Sequence, residues 1–274
     1  MGPKAGTADR GILQAAAAKE RFTLARFEPS PELAPFVEHY WVVRWDLTGL
    51  EPYSQTILSY PSVNISFEQE ASSRFTGVYG VPRKTFTRTL RDWGAVLGIK
   101  FRPGGFYPFF ERPVSLLTGQ VFDLGNVLGC DPRQLEDQIF DQDDDESMAR
   151  ECERFFLENL PETDANVELV QRIVQAAIDD RSVTRVAHLT DRFDIGPRTM
   201  QRLFDRYVGV SPKWVVQRYR LQEAALLLEQ GGHLDGPAVS QELGFYDQAH
   251  FIKQFKALVG ITPDAYARLN LRRP

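Results

Sequence analysis

Two helix-turn-helix patterns of the same design recur in the C-terminal part of the chain, and a duplicated helical plan leaves few folds open. In the first copy, Val186, Leu189, Thr190 and Phe193 fall at helical spacing within Val183 to Phe193, and Asp194-Ile195 turns the chain. Gly196 then stands as an N-cap with Pro197 at the first helical position, where a missing N–H costs no hydrogen bond. Met200, Leu203, Phe204 and Tyr207 follow at i, i+3, i+4 and i+7, which puts Arg198, Gln201, Arg202 and Asp205 on the opposite face. The second copy runs from Gly236 to Leu243, turns at Gly244-Phe245-Tyr246, and restarts at the N-cap Asp247. Its second helix directs Phe251, Ile252, Phe255, Leu258 and Val259 inward and Ala249, His250, Lys253 and Ala257 outward, and Gly260 ends it. Between the copies, Pro212 to Leu228 reads as one long helix with Trp214, Val215, Leu221, Ala225 and Leu228 apolar, a rigid spacer.

One such pair occurs on many ordinary protein surfaces; two at a fixed spacing narrow the chemistry. Arginine bridges O6 and N7 of guanine and glutamine the N6/N7 edge of adenine, each good pair discriminating by about 1–3 kcal/mol. Major grooves on one face of a duplex recur about 34 Å apart, so two spaced helices can engage one face without a second subunit. The net charge of −5, taken whole, argues against a polyanionic partner. Its distribution argues the other way: Ala165 to Pro274 holds 15 Lys and Arg against 12 Asp and Glu, or +3, and the upstream part carries −8. Phosphate contacts from Lys and Arg would make binding salt-sensitive.

Upstream the pattern changes to short alternating runs bounded by turn residues: Phe22–Glu28, His39–Leu47, Tyr53–Tyr60, Val63–Glu68, Phe75–Gly80, Thr85–Leu90 and Ala95–Phe101. From Val63 to Glu68 every second residue is apolar, as a strand with one wet face requires. The expected class is therefore α+β: an N-terminal antiparallel β-barrel or jelly-roll-like domain, then an all-α domain with two helix-turn-helix units joined by a long helix. Arg102-Pro103-Gly104-Gly105 ends the strand pattern, and Phe106, Tyr107, Phe109 and Phe110 open a short helix. Pro132 to Leu160 is helical and acidic, with Asp143-Asp144-Asp145 as a solvated turn or helix start; its apolar stripe around Phe155 and Phe156 could serve a dimer contact. The expected divisions are a flexible N-terminus (1–20), a β-rich effector-binding domain (21–128), an acidic helical connector (129–164) and the double helix-turn-helix domain (165–274).

Cys130 and Cys152 are too few and too irregularly placed for a disulfide framework or a zinc knuckle, and His39, His188, His233 and His250 form no ligand-spaced pair. No Ser-His-Asp, Cys-His or glycine-rich phosphate pattern stands out, so no catalytic residue, metal site or cofactor is expected. No run of about twenty apolar residues occurs, and Asp9, Arg10 and Gln14 interrupt any leader-like core, which points to a cytoplasmic, non-membrane protein.

Several anchors arrive in an order that resembles the AraC/XylS family. They are Val186-Ala187, Arg198 to Phe204, Gly209-Val210-Ser211-Pro212 and Arg220-Leu221 in the first half of its DNA-binding domain. The second half supplies Leu243-Gly244-Phe245, Asp247 to Phe251, Lys253 to Lys256 and Gly260-Ile261-Thr262-Pro263. The resemblance covers about residues 166 to 270. It implies base-reading positions at Arg198, Gln201 and Arg202 and at Gln248, His250 and Lys253, with Lys256 nearer to phosphate. Gly196, Ser240 and Lys253 depart from the family pattern, and a lysine offers a point charge where arginine offers a fork. Tyr60-Pro61, Gly98 to Gly105 and Val121 to Leu124 resemble an uncharacterised N-terminal domain found in such regulators. The implied function is transcriptional regulation, with promoter DNA, a small-molecule effector, a second copy of the chain and, for an activator, RNA polymerase as partners.

Candidate effector residues come from the aromatics of the β-rich part. His39, Trp41, Val43 and Trp45 share one face of a strand, read first as plain core and otherwise as a pocket lining with Tyr60. Arg44, on the other face, is read as a surface ion pair or as the partner of an effector carboxylate. The rival readings are a cupin-like enzyme, or a ligand-free dimerisation module, fused to a DNA-binding anchor.

Overall fold

The computed structural model describes residues 21–57, 60–83, 86–229 and 243–271. Its strands fall where alternation placed them: β1 (Thr23–Phe27), β2 (Val37–Leu47), β3 (Tyr53–Ile57), β4 (Asn64–Glu70), β5 (Ser73–Tyr79), β6 (Phe86–Leu90) and β7 (Asp92–Phe101). An eighth, β8 (Val121–Asp123), is too short to leave a period in the sequence. All pairings are antiparallel. Six strands form one sheet in the order β1-β2-β7-β4-β5-β8, and β3 and β6 form a separate ribbon. The chain is α+β as expected, with two facing sheets in place of one continuous barrel.

One face of the large sheet is covered by helices. Tyr40 and Val42 of β2 and Leu97, Ile99 and Phe101 of the central β7 are buried in a core shared with α1 (Tyr107–Phe110), a 3-10 turn (Val114–Leu117), α2 (Leu124–Leu128), α3 (Arg133–Phe140) and α4 (Asp145–Glu158). Asp144, in the acidic run, caps α4 by accepting from the Ser147 N–H at 2.8 Å. Phe156 is fully buried, its ring 5.9 Å from Phe101 and 5.5 Å from Phe109. The stripe suggested for a dimer contact is thus spent on the internal core, because α4 lies on the sheet where the sequence showed only an amphipathic helix.

The rest of the described chain is helical: α5 (Ala165–Asp179), α6 (Val186–Phe193), α7 (Pro197–Tyr207), α8 (Pro212–Glu229), α9 (Gln248–Val259) and α10 (Pro263–Leu271). The turn between α6 and α7 uses Asp194 at φ +51°, and Gly196 precedes Pro197 as expected. The Asp247 carboxylate accepts from the His250 N–H at 2.7 Å and Gly260 closes α9 at φ +93°. The expected helix from Gly236 lies outside the described residues, as does the N-terminus before residue 21.

Besides a small cluster of Trp45, Leu47, Leu90 and Val96 on the other face of the sheet, two larger cores result, and their border is not between sheet and helices. The first runs continuously from Leu33 through the sheet, α4 and α5 to Leu203, Phe204 and Val216, so the first helix-turn-helix unit is packed onto the β-rich part. The Thr118 hydroxyl donates to the Gly209 carbonyl at 2.6 Å, Arg206 Nε to the Tyr107 hydroxyl at 2.5 Å, and Gln171 Nε2 to the Pro35 carbonyl at 2.7 Å. Gly209 has φ +87°, and a β-carbon there would come within 3.0 Å of the Val114 carbonyl oxygen. The second core consists of Leu221, Ala224, Ala225 and Leu228 from the later half of α8 with Phe251, Phe255 and Leu258 of α9 and Tyr266 of α10.

Candidate DNA-reading surface and effector cavity

Along α7 the apolar side chains Met200, Leu203, Phe204 and Tyr207 are buried, and this fixes which side chains are left outside. Arg198, Gln201 and Arg202 are all exposed. Gln201 and Arg202 border a concavity whose other wall is Pro113 from the β-rich part and Asn166 at the start of α5. Arg206, on the same helix, is drawn aside by Tyr107, its guanidinium carbon 4.9 Å from that ring's centre. On α9, Gln248, Lys253 and Lys256 are exposed. His250 differs from them: it is half-buried, its ring 5.6 Å from Phe245 and its Nδ1 enclosed without a hydrogen-bond partner, because the turn before α9 folds Phe245 against it.

The uncovered face of the large sheet and the β3–β6 ribbon enclose a cavity of about 270 Å³. His39, Trp41, Val43 and Trp45 of β2 all line it, together with Tyr60. The alternation along β2 therefore carried both readings: Tyr40 and Val42 point to the helix-covered core, and the opposite set points to the cavity. Only Trp45 of that set is buried, in a cluster with Leu47, Leu90 and Val96 against which Trp41 and Val43 pack. Arg44 does not reach the cavity; it shares the core-facing side and pairs with Asp145 of α4 at 2.5 Å.

Charged groups in the wall are already matched. Arg88 of β6 crosses from the ribbon to Glu68 at 2.5 Å and Glu70 at 2.6 Å on β4. The buried Glu68 carboxylate also accepts from the Tyr79 hydroxyl at 2.5 Å and the Ser66 hydroxyl at 2.7 Å. Lys100 pairs with Glu38 at 2.8 Å and sits 4.2 Å above the Tyr60 ring. Burial first, and then Lys100, push His39 down to about 4, so its imidazole is neutral at pH 7.

α8 reaches this end of the cavity. Arg218 Nη2 points to the Pro82 carbonyl at 3.4 Å, Pro82 being part of the wall. Arg218 is only 5 % exposed, its Nε has no hydrogen-bond partner, and no carboxylate pairs with it among the described residues. The adjacent Tyr219 is pushed above the usual phenol range by burial and by the nearby Glu38 and Tyr60.

Residues 189–269 match the family model described as a helix-turn-helix domain, and residues 25–123 match a domain of unknown function (DUF6597). An uncharacterised helix-turn-helix-type transcriptional regulator of Haemophilus influenzae is 36% identical over 67 residues, 24% of this chain and 22% of its own length. The regulator YidL of Escherichia coli, also uncharacterised, is 39% identical over 75 residues, 27% of this chain and 25% of its own. This chain thus covers about a quarter of the curated relatives it matches. Among solved structures, ToxT of Vibrio cholerae aligns over 93% of this chain and all of its own at 11% identity and a TM-score of 0.38. Residues 189–269 are a helix-turn-helix domain, in keeping with the AraC/XylS resemblance of the sequence.

The first helix-turn-helix unit shares the large core on the helix-covered face of the sheet whose opposite face lines the cavity, a link the sequence did not announce. Thr118 meets Gly209 and Tyr107 meets Arg206 across that junction; Gly209 and Tyr107 stand in recognisable segments, but nothing in the sequence marked their partners, and Arg218 looked like one more basic residue on a long helix. Lys100 and Gly98 did carry a signal, inside the Gly98 to Gly105 segment that resembles the N-terminal domain of such regulators. Among the described residues, no group of three or more His, Cys, Asp or Glu is placed to hold a metal ion, and no helix is long and apolar enough to cross a membrane.

Proposed function

We propose that the whole chain is a non-enzymatic, cytoplasmic, one-component transcriptional regulator, in which occupancy of the cavity alters how the two helix-turn-helix units engage promoter DNA. The observation that carries this reading is the position of α8. Its first half belongs to the large core through Val215 and Val216 and reaches the cavity wall through Arg218 at Pro82, and its second half belongs to the core of the second reader. A change at Pro82 or Tyr60 is therefore felt by the helix that sets the relation of α7 to α9. Arg198, Gln201 and Arg202 supply base contacts from α7, Gln248 and Lys253 from α9, and Lys256 a phosphate contact.

Electrophoretic mobility shift with genomic fragments tests the reading. Arg202→Ala and Lys253→Ala are each expected to lower affinity, and to flatten its dependence on salt by about one phosphate equivalent if the side chain reaches the backbone. Unchanged affinity and unchanged salt slope in both variants would remove the assigned surface.

A further inference from the structure

The cavity also specifies a chemistry for its occupant. We propose that it takes an uncharged, planar aromatic molecule carrying a hydrogen-bonding group at one end. This rests on the effector reading above and deepens it.

The floor of the cavity is built for flat rings. Gly98 and Gly94 of β7 lie directly opposite Trp41 and Trp45 of β2, and a β-carbon at either glycine would fall within 2.2 Å of an indole carbon. Without those β-carbons the two indoles lie down on the strand, and both contribute to the cavity surface. Phe86, on the opposing ribbon, and Tyr60 add further rings. Such walls favour a ligand that can stack or pack edge to face.

The charges exclude ions. Lys100 has Glu38, Arg88 has two carboxylates, Glu68 has three donors, and Arg26 has an interaction of its own. A charged ligand would have to break one of these pairs and leave a charge uncompensated in a sheltered place. At one end neutral His39 and Asn64 flank Lys100 across the strands and offer hydrogen-bonding groups, whereas the Glu68 and Arg88 pair further along is satisfied within itself. At a rise of about 3.3 Å per residue, His39 stands roughly 20 Å along β2 from Trp45, so a group bound at the His39 end lies well away from the Trp45 indole.

Three probes that share one ring system test the proposal on the full chain without DNA: 2-naphthol, 2-naphthoate and 2-naphthylmethylammonium, titrated by calorimetry and tryptophan fluorescence. The expected result is that 2-naphthol binds at least about tenfold more tightly than either ion. Trp41→Leu is expected to weaken naphthol about tenfold, and Trp41→Phe to stay within about threefold of the parent. An ion binding as well as naphthol, no binding by any of the three, or Trp41→Leu folding and binding like the parent would each overturn it. The probe series on the unaltered chain decides the matter even if Trp41→Leu does not fold. Since binding is read on the protein alone, naphthol binding without any change in promoter affinity would count against the regulatory reading and leave the ligand class standing.

Discussion

His39 lies beside Lys100 and within reach of Arg26 and Arg102, with the Glu38 carboxylate opposing them. The folded protein therefore favours its neutral form, whereas the unfolded chain titrates near 6.5. Between these limits the unfolded state binds more protons. The stabilisation is complete above about pH 6.5 and is lost as pH falls through to about 4, amounting to something on the order of 3 kcal/mol. Urea unfolding at about pH 7.5 and about pH 4.5 should show this drop in the parent and a smaller one in His39→Gln. Gly209 offers a second test at this scale. Gly209→Ala combines a positive φ with a contact against the Val114 carbonyl and is expected to cost about 2 kcal/mol in the same assay.

Helix α8 is where the elements meet, and Arg218 is its unusual residue. A guanidinium buried with a long carbonyl contact, the Trp214 ring at 4.5 Å and no carboxylate partner among the described residues is held at a cost in solvation, which also draws it down to about 10. Arg218→Met should accordingly raise the unfolding free energy by about 1 kcal/mol or more while blunting any effect of a cavity ligand on promoter affinity; a destabilised variant would mean that the charge is compensated. The two recognition helices differ as well. With His250 folded back on Phe245, α9 presents Gln248 and Lys253 where α7 presents Arg198, Gln201 and Arg202. Arg202→Ala should then relax base preference at one operator position by about 1–3 kcal/mol, and Lys253→Ala should weaken binding more evenly across operator variants. Periodicity was enough to find these helices and the strands, because each buries one face. It could not tell which buried face meets a helix and which encloses a cavity: Tyr40 and Trp41 are both large and aromatic, and only the glycines across the strand separate their roles. Contacts such as Thr118 to Gly209 or Arg44 to Asp145 join residues far apart in the chain and leave no local trace.

For the molecule as a whole, the border between the two cores implies unequal stability. The unit built on α9 and α10 has a small core of its own, whereas α6 and α7 share the large one. Native-state hydrogen exchange should find the amides of 248–271 opening at a lower free energy than those of 197–207, and equal protection would contradict the division. The shared core also bears on how such proteins can be recombined. Cutting between the β-rich part and the first reader would strip Gly104 from Val170 and Thr118 from Gly209, and expose a broad apolar seam on both fragments. A functional chimera that borrows this sensor must carry the first reader with it and be spliced within α8, between Tyr219 and Leu221; the natural cassette here is a sensor with one reading head attached.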